Sequence, residues 1–317
     1  MRLYIDKQNI LAFMSNRNSN NDLFDESIRL IKKGMDVYYN FPKKDILENQ
    51  VLIAWFGRMK GAGVKFESTF CTDYSEVKPE RPLKSNFYIR YNSEDRSSMY
   101  LLNIEENMRN TIRNKNSILI GSPGDEMELF ESLLAMNDKE QLMCKIKSWK
   151  DYCPQVPLTD VIICDNYYFK NINVYKKNDN ELVRALAEIP KETINIVFIT
   201  KEGEVDREIN LEEECKKIKD TIAKVSGISK SKCSVTILTS YKCHSRHIIT
   251  NYYRMMPTSC VHLKDSGLKD DVNIDIKPNS NYNALEQTRD LIKICQKIAQ
   301  NPVKIFGDKK SNYIAFS

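Results

Sequence analysis

The chain of 317 residues is long enough for one large domain or two ordinary ones. Its 41% hydrophobic and 29% charged residues are the balance of a soluble globular protein. The longest apolar runs, such as residues 194–200, have only strand length, which excludes a transmembrane helix. The net charge of +5 permits a polyanionic partner without requiring one.

The N-terminus and the cysteines indicate the cellular compartment. The first ten residues, MRLYIDKQNI, contain no signal-peptide core. The nine cysteines are scattered without a C-x-x-C pair, which is typical of reduced core residues and not of a disulfide framework. We therefore expect a cytoplasmic protein that does not associate with a membrane.

Residues 1–112 carry mixed signals and predict a smaller N-terminal α+β region whose role the sequence does not indicate. Apolar periodicity and alternation predict helices over residues 25–33, 44–59 and 99–113 and strands over residues 36–41 and 87–91. The G-A-G sequence at residues 61–63 is typical of a plain turn, because the Lys-Ser/Thr pair of a phosphate loop is missing.

Residues 113–317 alternate strands with helices and predict an α/β domain with a largely parallel or mixed sheet flanked by helices. Short Val/Ile-rich runs are typical of buried strands, and the C-terminal stretch 283–300 predicts an amphipathic helix. The predicted central sheet contains residues 118–120, 161–164, 196–199 and 235–238 as neighbouring strands.

Parallel sheets bind ligands at the carboxyl ends of their strands, so the polar residues that follow predicted strands are candidate ligand-binding residues. Asp165 and Asn166 follow one such strand, and an Asx turn is the simpler interpretation of that pair. Ser122 follows another strand and is the natural cap of a helix whose free N–H groups can bind an anion. As a cap, Ser122 needs no ligand.

All three histidines of the chain fall within residues 234–264. Two of them belong to the stretch H-S-R-H-I-I-T-N, in which His244, Arg246 and Asn251 have the spacing H-x-R-x-x-x-x-N. This spacing resembles the H-x-K-x-x-x-x-D half-site motif of the phospholipase D superfamily, with Arg for Lys and Asn for Asp. The resemblance implies an α/β sandwich, a nucleophilic role for His244 and a phosphate-clamping role for Arg246, with Asn251 in the position of the acid.

A complete site in that superfamily joins two half-sites, and the sequence contains one. The resemblance therefore implies a homodimer or a non-catalytic relative, and chemistry that needs no cofactor. A separate, structural interpretation makes the protein a subunit whose first region docks on a larger complex. Further candidate ligand-binding residues beside His244 are Lys242, Tyr252 and Arg254, on which bases can stack and phosphates can bind. A surface histidine beside a salt-bridged arginine is the simpler interpretation of the same residues.

Two classes of function follow from this half-site. The first is a phosphodiesterase-type nuclease acting on nucleic acid, for which bacterial defence is a suitable setting. The second is a non-catalytic relative that binds nucleic acid, a phosphorylated ligand or a protein partner, and the Asn at position 251 favours it because an amide carries no charge.

Metal binding is a rival interpretation of the same stretch. Two cysteines and two histidines suit tetrahedral zinc, although their spacing, C-x3-H-x12-C-x-H, matches no zinc signature. Small buried cysteines are the simpler alternative. The four candidate zinc ligands are Cys243, His247, Cys260 and His262.

Overall fold

A computed structural model describes the chain in two compact units. The N-terminal unit comprises Met1–Asn137 and Pro278–Leu285, and the C-terminal unit comprises Asp138–Lys277 and Glu286–Ser317. The described residues are 1–18, 21–66, 98–103, 119–138, 142–144, 149–171 except 152, 155 and 157, 173, 180–189, 193–243, 246–257, 272–279 and 282–316.

The N-terminal unit is built on a five-stranded parallel sheet. Its strands are β1 Arg2–Ile5, β2 Asp36–Tyr39, β3 Gly63–Phe66, β4 Ser98–Leu101 and β5 Leu119–Gly121. They lie in the order β3-β2-β1-β4-β5, so the chain builds outward from β1 on one side and then returns to place β4 on the other. The sheet order therefore reverses between β1 and β4, which is where open α/β sheets bind ligands.

Five helices of this unit are described, and side chains of the preceding residues cap two of them. The helices are α1 Lys7–Ser15, α2 Asn21–Gly34, α3 Lys43–Glu48, α4 Gln50–Arg58 and α5 Glu126–Asp138. Asp6 caps α1 and Asn49 caps α4, each by accepting a hydrogen bond from a backbone N–H of the first turn. The helices cover a core that includes the fully buried side chains of Leu3, Phe13 and Trp55.

The C-terminal unit is built on an eight-stranded mixed sheet in the order β13-β9-β8-β7-β10-β11-β12-β6. Its strands are β6 Leu142–Cys144, β7 Asp160–Cys164, β8 Ile194–Lys201, β9 Cys233–Ser240, β10 His247–Thr250, β11 Tyr253–Pro257, β12 Val272–Pro278 and β13 Lys304–Gly307. Parallel pairing joins β7 to β8 and β8 to β9. Antiparallel pairing joins β10 to β7 and β13 to β9.

Three described α-helices accompany this sheet: α6 Glu181–Glu188, α7 Leu211–Ser226 and α8 Tyr282–Gln300, whose first four residues belong to the N-terminal unit. Asn210 caps α7, which ends at Gly227 in the left-handed conformation (φ 72°). One face of the central strands packs with Cys295, Ile298 and Ala299 of α8 into a hydrophobic cluster. Burial of that face fixes the register of the central strands, because a slip of one residue would expose it.

The predicted α/β class is confirmed, with helices flanking a parallel and a mixed sheet. Three of the four predicted central strands, β7, β8 and β9, are neighbours as expected. The fourth is not, because Leu119–Gly121 pairs with β4 in the N-terminal sheet. The division between the units therefore lies at residues 137/138 and not at 112, and the N-terminal region is parallel α/β instead of α+β.

Two further expectations concern residues 87–113. The predicted strand at 87–91 and most of the predicted helix at 99–113 lie outside the described residues. The start of that helix is wrong, because Ser98–Leu101 forms strand β4. Among the helices that the structure describes, none has the length and apolar character that crossing a membrane requires.

Candidate functional site

The candidate site lies at the carboxyl edge of the C-terminal sheet. Strand β7 ends at Cys164, which pairs with His247 at the start of antiparallel β10. Asp165 follows β7 and Arg246 precedes β10, so the register brings these two residues to the same edge. Arg246 Nε lies 3.7 Å from Asp165 Oδ1, and the Asp165 side chain is fully buried while 30% of the Arg246 side chain is exposed.

An aromatic side chain completes this arrangement. The Arg246 guanidinium carbon lies 5.4 Å from the centroid of the Tyr167 ring, and Lys170 Nζ lies 4.7 Å from the same centroid. Such cation–π contacts are worth about 0.5–1 kcal/mol at exposed sites and more when water is excluded. Asp165 and Tyr167 together therefore hold the Arg246 guanidinium at the edge of the sheet.

Asp165 and Asn166 also form the turn that the simpler interpretation predicted. Asp165 Oδ1 accepts a hydrogen bond of 2.8 Å from the backbone N–H of Tyr167, which is an Asx turn. The Thr200 hydroxyl donates to the Asn166 carbonyl at 3.1 Å and ties this turn to the end of β8. Within the described part of the chain, the buried Asn166 Oδ1 has no hydrogen-bond partner. The turn thus positions Asp165 toward Arg246 while one amide oxygen remains unsatisfied.

The structure does not bring Asn251 to this edge. Asn251 follows the other end of β10, where its Oδ1 accepts a hydrogen bond of 3.2 Å from the backbone N–H of Thr159. Five residues of extended strand separate it from Arg246 by roughly 16 Å at a rise of about 3.3 Å per residue. Asn251 therefore does not lie beside Arg246, where the resemblance places the acid. His244, the predicted nucleophile, lies outside the described residues.

The other predicted ligand-binding residues separate in space. Lys242 is exposed in the turn after β9, at the same edge as Arg246. Tyr252 is 1% exposed and Arg254 is 4% exposed, so neither can stack on a base or bind a phosphate at the surface. Arg254 instead donates a hydrogen bond of 2.9 Å to Gln287 of α8.

Ser122 belongs to the N-terminal unit and does not cap a helix. Helix α5 begins at Glu126, three residues later than a Ser122 cap requires. Asp125 Oδ2 instead accepts a hydrogen bond of 2.8 Å from the Ser122 backbone N–H. The first turn of α5 is acidic, containing Glu126 and Glu128, so its N-terminus does not favour an anion.

The zinc interpretation finds no support in the part of the chain that is described. Cys260 and His262 lie outside it, and inside it no group of three or more His, Cys, Asp and Glu side chains is placed to hold a metal ion. Cys243 is buried, and its Sγ lies 3.7 Å from the carbonyl oxygen of Ile199. Burial and the positive charge of Arg254 lower the pKa of His247 to about 4. That neighbouring charge would also repel a metal ion.

Sequence inspection missed a second group of polar residues, at the carboxyl ends of β1 and β5 in the N-terminal unit. Asp6 is 6% exposed, and Asn9 and Glu126 are fully buried. The sequence signal for Asp6 is its position directly after the apolar strand L-Y-I. Nothing in the sequence distinguishes Glu126 from an ordinary acidic residue of a first helical turn.

No protein-family model and none of the curated proteins compared with the sequence matches it. The function must therefore be inferred from these side chains.

Proposed function

We propose that the protein acts on nucleic acid as a phosphodiesterase-type enzyme, through the carboxyl edge of its C-terminal sheet. The observation that supports this proposal most is Arg246, which Asp165 and Tyr167 hold at the edge while 30% of its side chain reaches solvent. A guanidinium presents several N–H donors in a planar fork that matches two phosphate oxygens.

The Asp165 ion pair orients Arg246 without enclosing it. The distance of 3.7 Å from Arg246 Nε to Asp165 Oδ1 is longer than a hydrogen bond. A phosphate oxygen can therefore compete for the guanidinium at short range. Because Asp165 is fully buried and tied to Tyr167, it cannot follow Arg246 outward, and the guanidinium stays anchored when a ligand binds.

Other cations at the same edge support a ligand with several phosphates. Lys170 and Lys242 are exposed and lie in the loops that follow β7 and β9. Lys170 also contacts Glu204 at 3.0 Å, and an exposed pair of this kind is worth at most about 1 kcal/mol. Phosphates of a nucleic acid backbone can displace such a pair. We therefore favour a polyphosphate ligand over one isolated phosphate.

Catalysis in this proposal rests on the phospholipase D resemblance, in which His244 attacks phosphorus and Arg246 stabilises the negative charge of the phosphoryl oxygens. The second candidate function is non-catalytic binding of nucleic acid at the same edge. Two observations favour it: position 251 carries an amide, and Asn251 hydrogen-bonds Thr159 at the far end of β10. A homodimer that joins two half-sites, or assembly into a larger complex, also remains a prediction.

One set of variants tests the proposal and separates the two candidates. Binding of fluorescein-labelled single-stranded DNA and RNA is followed by anisotropy, and cleavage of the same strands by gel electrophoresis. We expect Arg246→Ala to weaken binding at least tenfold, as removal of a charge-assisted hydrogen bond worth about 1.5–3 kcal/mol requires. Arg289→Ala is the control, because Arg289 is an exposed arginine of α8 that pairs with Glu286.

The two candidates differ in their response to His244→Ala. An enzyme should lose strand cleavage at least a hundredfold while binding changes less than threefold. If the protein only binds nucleic acid, the wild-type protein should already show no strand cleavage. If Arg246→Ala and Arg289→Ala bind both strands as tightly as wild type, the proposed site is wrong.

A further inference from the structure

The most unusual polar groups of the N-terminal unit lie where the order of its sheet reverses. Asp6 directly follows β1, and its backbone N–H donates a hydrogen bond of 3.0 Å to the carbonyl of Leu101 at the end of β4. Helix α5 starts shortly after the neighbouring strand β5. Residues from both sides of the reversal therefore meet at the position where parallel sheets bind ligands.

Hydrogen bonds fix the Asp6 carboxylate in one orientation. Its Oδ1 accepts from the backbone N–H and the side-chain amide of Asn9, both at 2.9 Å. Its Oδ2 accepts from the backbone N–H of Asn103 at 2.5 Å. Asp6 is thus positioned by groups on both sides of the reversal.

Asn9 has an oxygen that the fold leaves unsatisfied. Its side chain is fully buried, and its amide nitrogen donates to Asp6. Its Oδ1 has no hydrogen-bond partner among the described residues. Leaving a buried acceptor unsatisfied costs about 1–3 kcal/mol, so this oxygen indicates a missing electropositive group.

Glu126 also has a buried side-chain oxygen without a hydrogen-bond partner among the described residues. It is fully buried, and its Oε2 accepts a hydrogen bond of 2.8 Å from the backbone N–H of Gly124, while Oε1 finds no donor in the parts of the chain described. Burial, with smaller contributions from the charges of Asp125 and Asp6, raises the pKa of Glu126 to about 7, although hydrogen bonds from the backbone of Glu126 and Gly124 lower it. Glu126 follows β5, whose Gly121 carbonyl accepts a hydrogen bond of 2.9 Å from the backbone N–H of Leu102, next to the Asn103 N–H that binds Asp6. The two carboxyl groups therefore lie at the same edge of the sheet.

We propose that Asp6, Asn9 and Glu126 form a binding site for a hydrated divalent cation of the Mg²⁺ class. All three side chains offer oxygen, which is the ligand that hard cations prefer. A cation would satisfy both unsatisfied oxygens and remove the repulsion between the two carboxylates. The negative charge of Glu126 at the start of α5 offsets the positive end of the helix dipole there.

The number of protein side chains available as ligands distinguishes a fully protein-coordinated metal site from a partly hydrated one. Because no group of three or more His, Cys, Asp and Glu residues in the described ranges is placed to hold a metal, an all-protein cage is excluded there. Mg²⁺ does not need one, since it retains several waters and binds through one or two carboxylates, with phosphate oxygens of a ligand in other positions. This cation site lies within the N-terminal unit and does not depend on the function proposed for Arg246.

The test is binding of Mn²⁺, as a probe for Mg²⁺, to the full chain by isothermal titration calorimetry and by the electron paramagnetic resonance signal of free Mn²⁺. We expect one saturable site at pH 8. Glu126→Gln and Asp6→Asn should each weaken it at least tenfold, while Glu128→Gln, an exposed residue of the same helical turn, should leave it unchanged. Because the cation competes with the Glu126 proton, wild-type affinity should be about tenfold lower at pH 6 than at pH 8.

Glu126→Gln should fold, because an amide has the shape and charge of the protonated carboxyl that the buried position already favours. Circular dichroism and Trp55 fluorescence check this. The proposal is overturned if wild type shows no saturable Mn²⁺ binding at pH 8. It is equally overturned if folded Glu126→Gln and Asp6→Asn bind Mn²⁺ as wild type does, since the ion would then lie elsewhere.

Discussion

Burial shifts the pKa of one residue in each unit, downward for His247 and upward for Glu126. His247 is 6% exposed and its pKa falls from 6.5 to about 4, whereas Glu126 is fully buried and its pKa rises from 4.5 to about 7. Both residues therefore favour their neutral forms in the folded chain.

The chain also has two buried tryptophans, Trp55 in the N-terminal unit and Trp149 in the C-terminal unit. Single-tryptophan variants can report on each unit separately.

For His247, the unfolded chain binds a proton between pH 6.5 and 4 that the folded chain does not. The stability of the C-terminal unit should therefore fall as the pH drops through this range, by up to roughly 3 kcal/mol below pH 4. The measurement is urea unfolding of a Trp55→Phe variant, followed by Trp149 fluorescence, at pH 7 and pH 4.5. His247→Gln should reduce the difference between the two pH values, and an unchanged difference would contradict the assignment.

For Glu126, the folded chain holds a proton between pH 4.5 and 7 that the unfolded chain has released. The stability of the N-terminal unit should therefore fall as the pH rises through this range, by up to roughly 3 kcal/mol above pH 7. Urea unfolding of a Trp149→Phe variant, followed by Trp55 fluorescence in metal-free buffer, measures it. Glu126→Gln should flatten this dependence. Equal slopes for this variant and its parent would show that Glu126 is ionised throughout.

At the scale of elements, strand β10 explains why one half of the predicted motif reaches the site and the other does not. Its four residues pair with β7 from His247↔Cys164 to Thr250↔Val161. Residues that flank a strand lie at opposite edges of the sheet, so Arg246 and Asn251 cannot act on the same phosphate group. The proposed site also includes residues of the loops after β7 and β9, whose side chains the alternation along β10 does not position.

Strand β13 is an edge strand of the C-terminal sheet, and its pairing with β9 requires a glycine at position 307. Gly307 has φ 87°, and a Cβ there would collide with the carbonyl oxygen of Val235 on β9. Gly307→Ala should therefore destabilise the C-terminal unit by about 3 kcal/mol or more, through backbone strain and overpacking. Denaturant unfolding followed by Trp149 fluorescence measures this. The control is Gly203→Ala, where a Cβ meets nothing within 4 Å; equal stability of both variants would contradict the register of β13 on β9.

At the scale of the whole molecule, the α/β class and the strands β7, β8 and β9 could be predicted because Val/Ile-rich runs are typical of strands buried on both faces. The sheet to which Leu119–Gly121 belongs could not, since three apolar residues carry no information about their pairing partner. Asp165 could be predicted from its position after a strand. Glu126 could not, because a buried acid and an exposed capping acid look identical in the sequence.

The two proposed sites have opposite electrostatic characters, and each belongs to one unit. Carboxylates and an amide oxygen at the end of β1 suit a cation, whereas Arg246, Lys170 and Lys242 at the end of the C-terminal sheet suit phosphate. The two proposals therefore fail independently. Loss of Mn²⁺ binding in Glu126→Gln should leave DNA affinity in metal-free buffer unchanged, as anisotropy can show.

The salt dependence of nucleic acid affinity tests the role of Arg246 most directly. A cation that neutralises a phosphate releases condensed counterions, so removing one such cation lowers the magnitude of the slope of log K against log salt concentration by about 0.7 on a single strand. We expect this decrease for Arg246→Ala, measured with single-stranded DNA between 50 and 200 mM salt, roughly the range over which such slopes are resolved. Arg289→Ala should keep the wild-type slope. An identical slope for wild type and Arg246→Ala would contradict the proposed site, because Arg246 would then bind no phosphate.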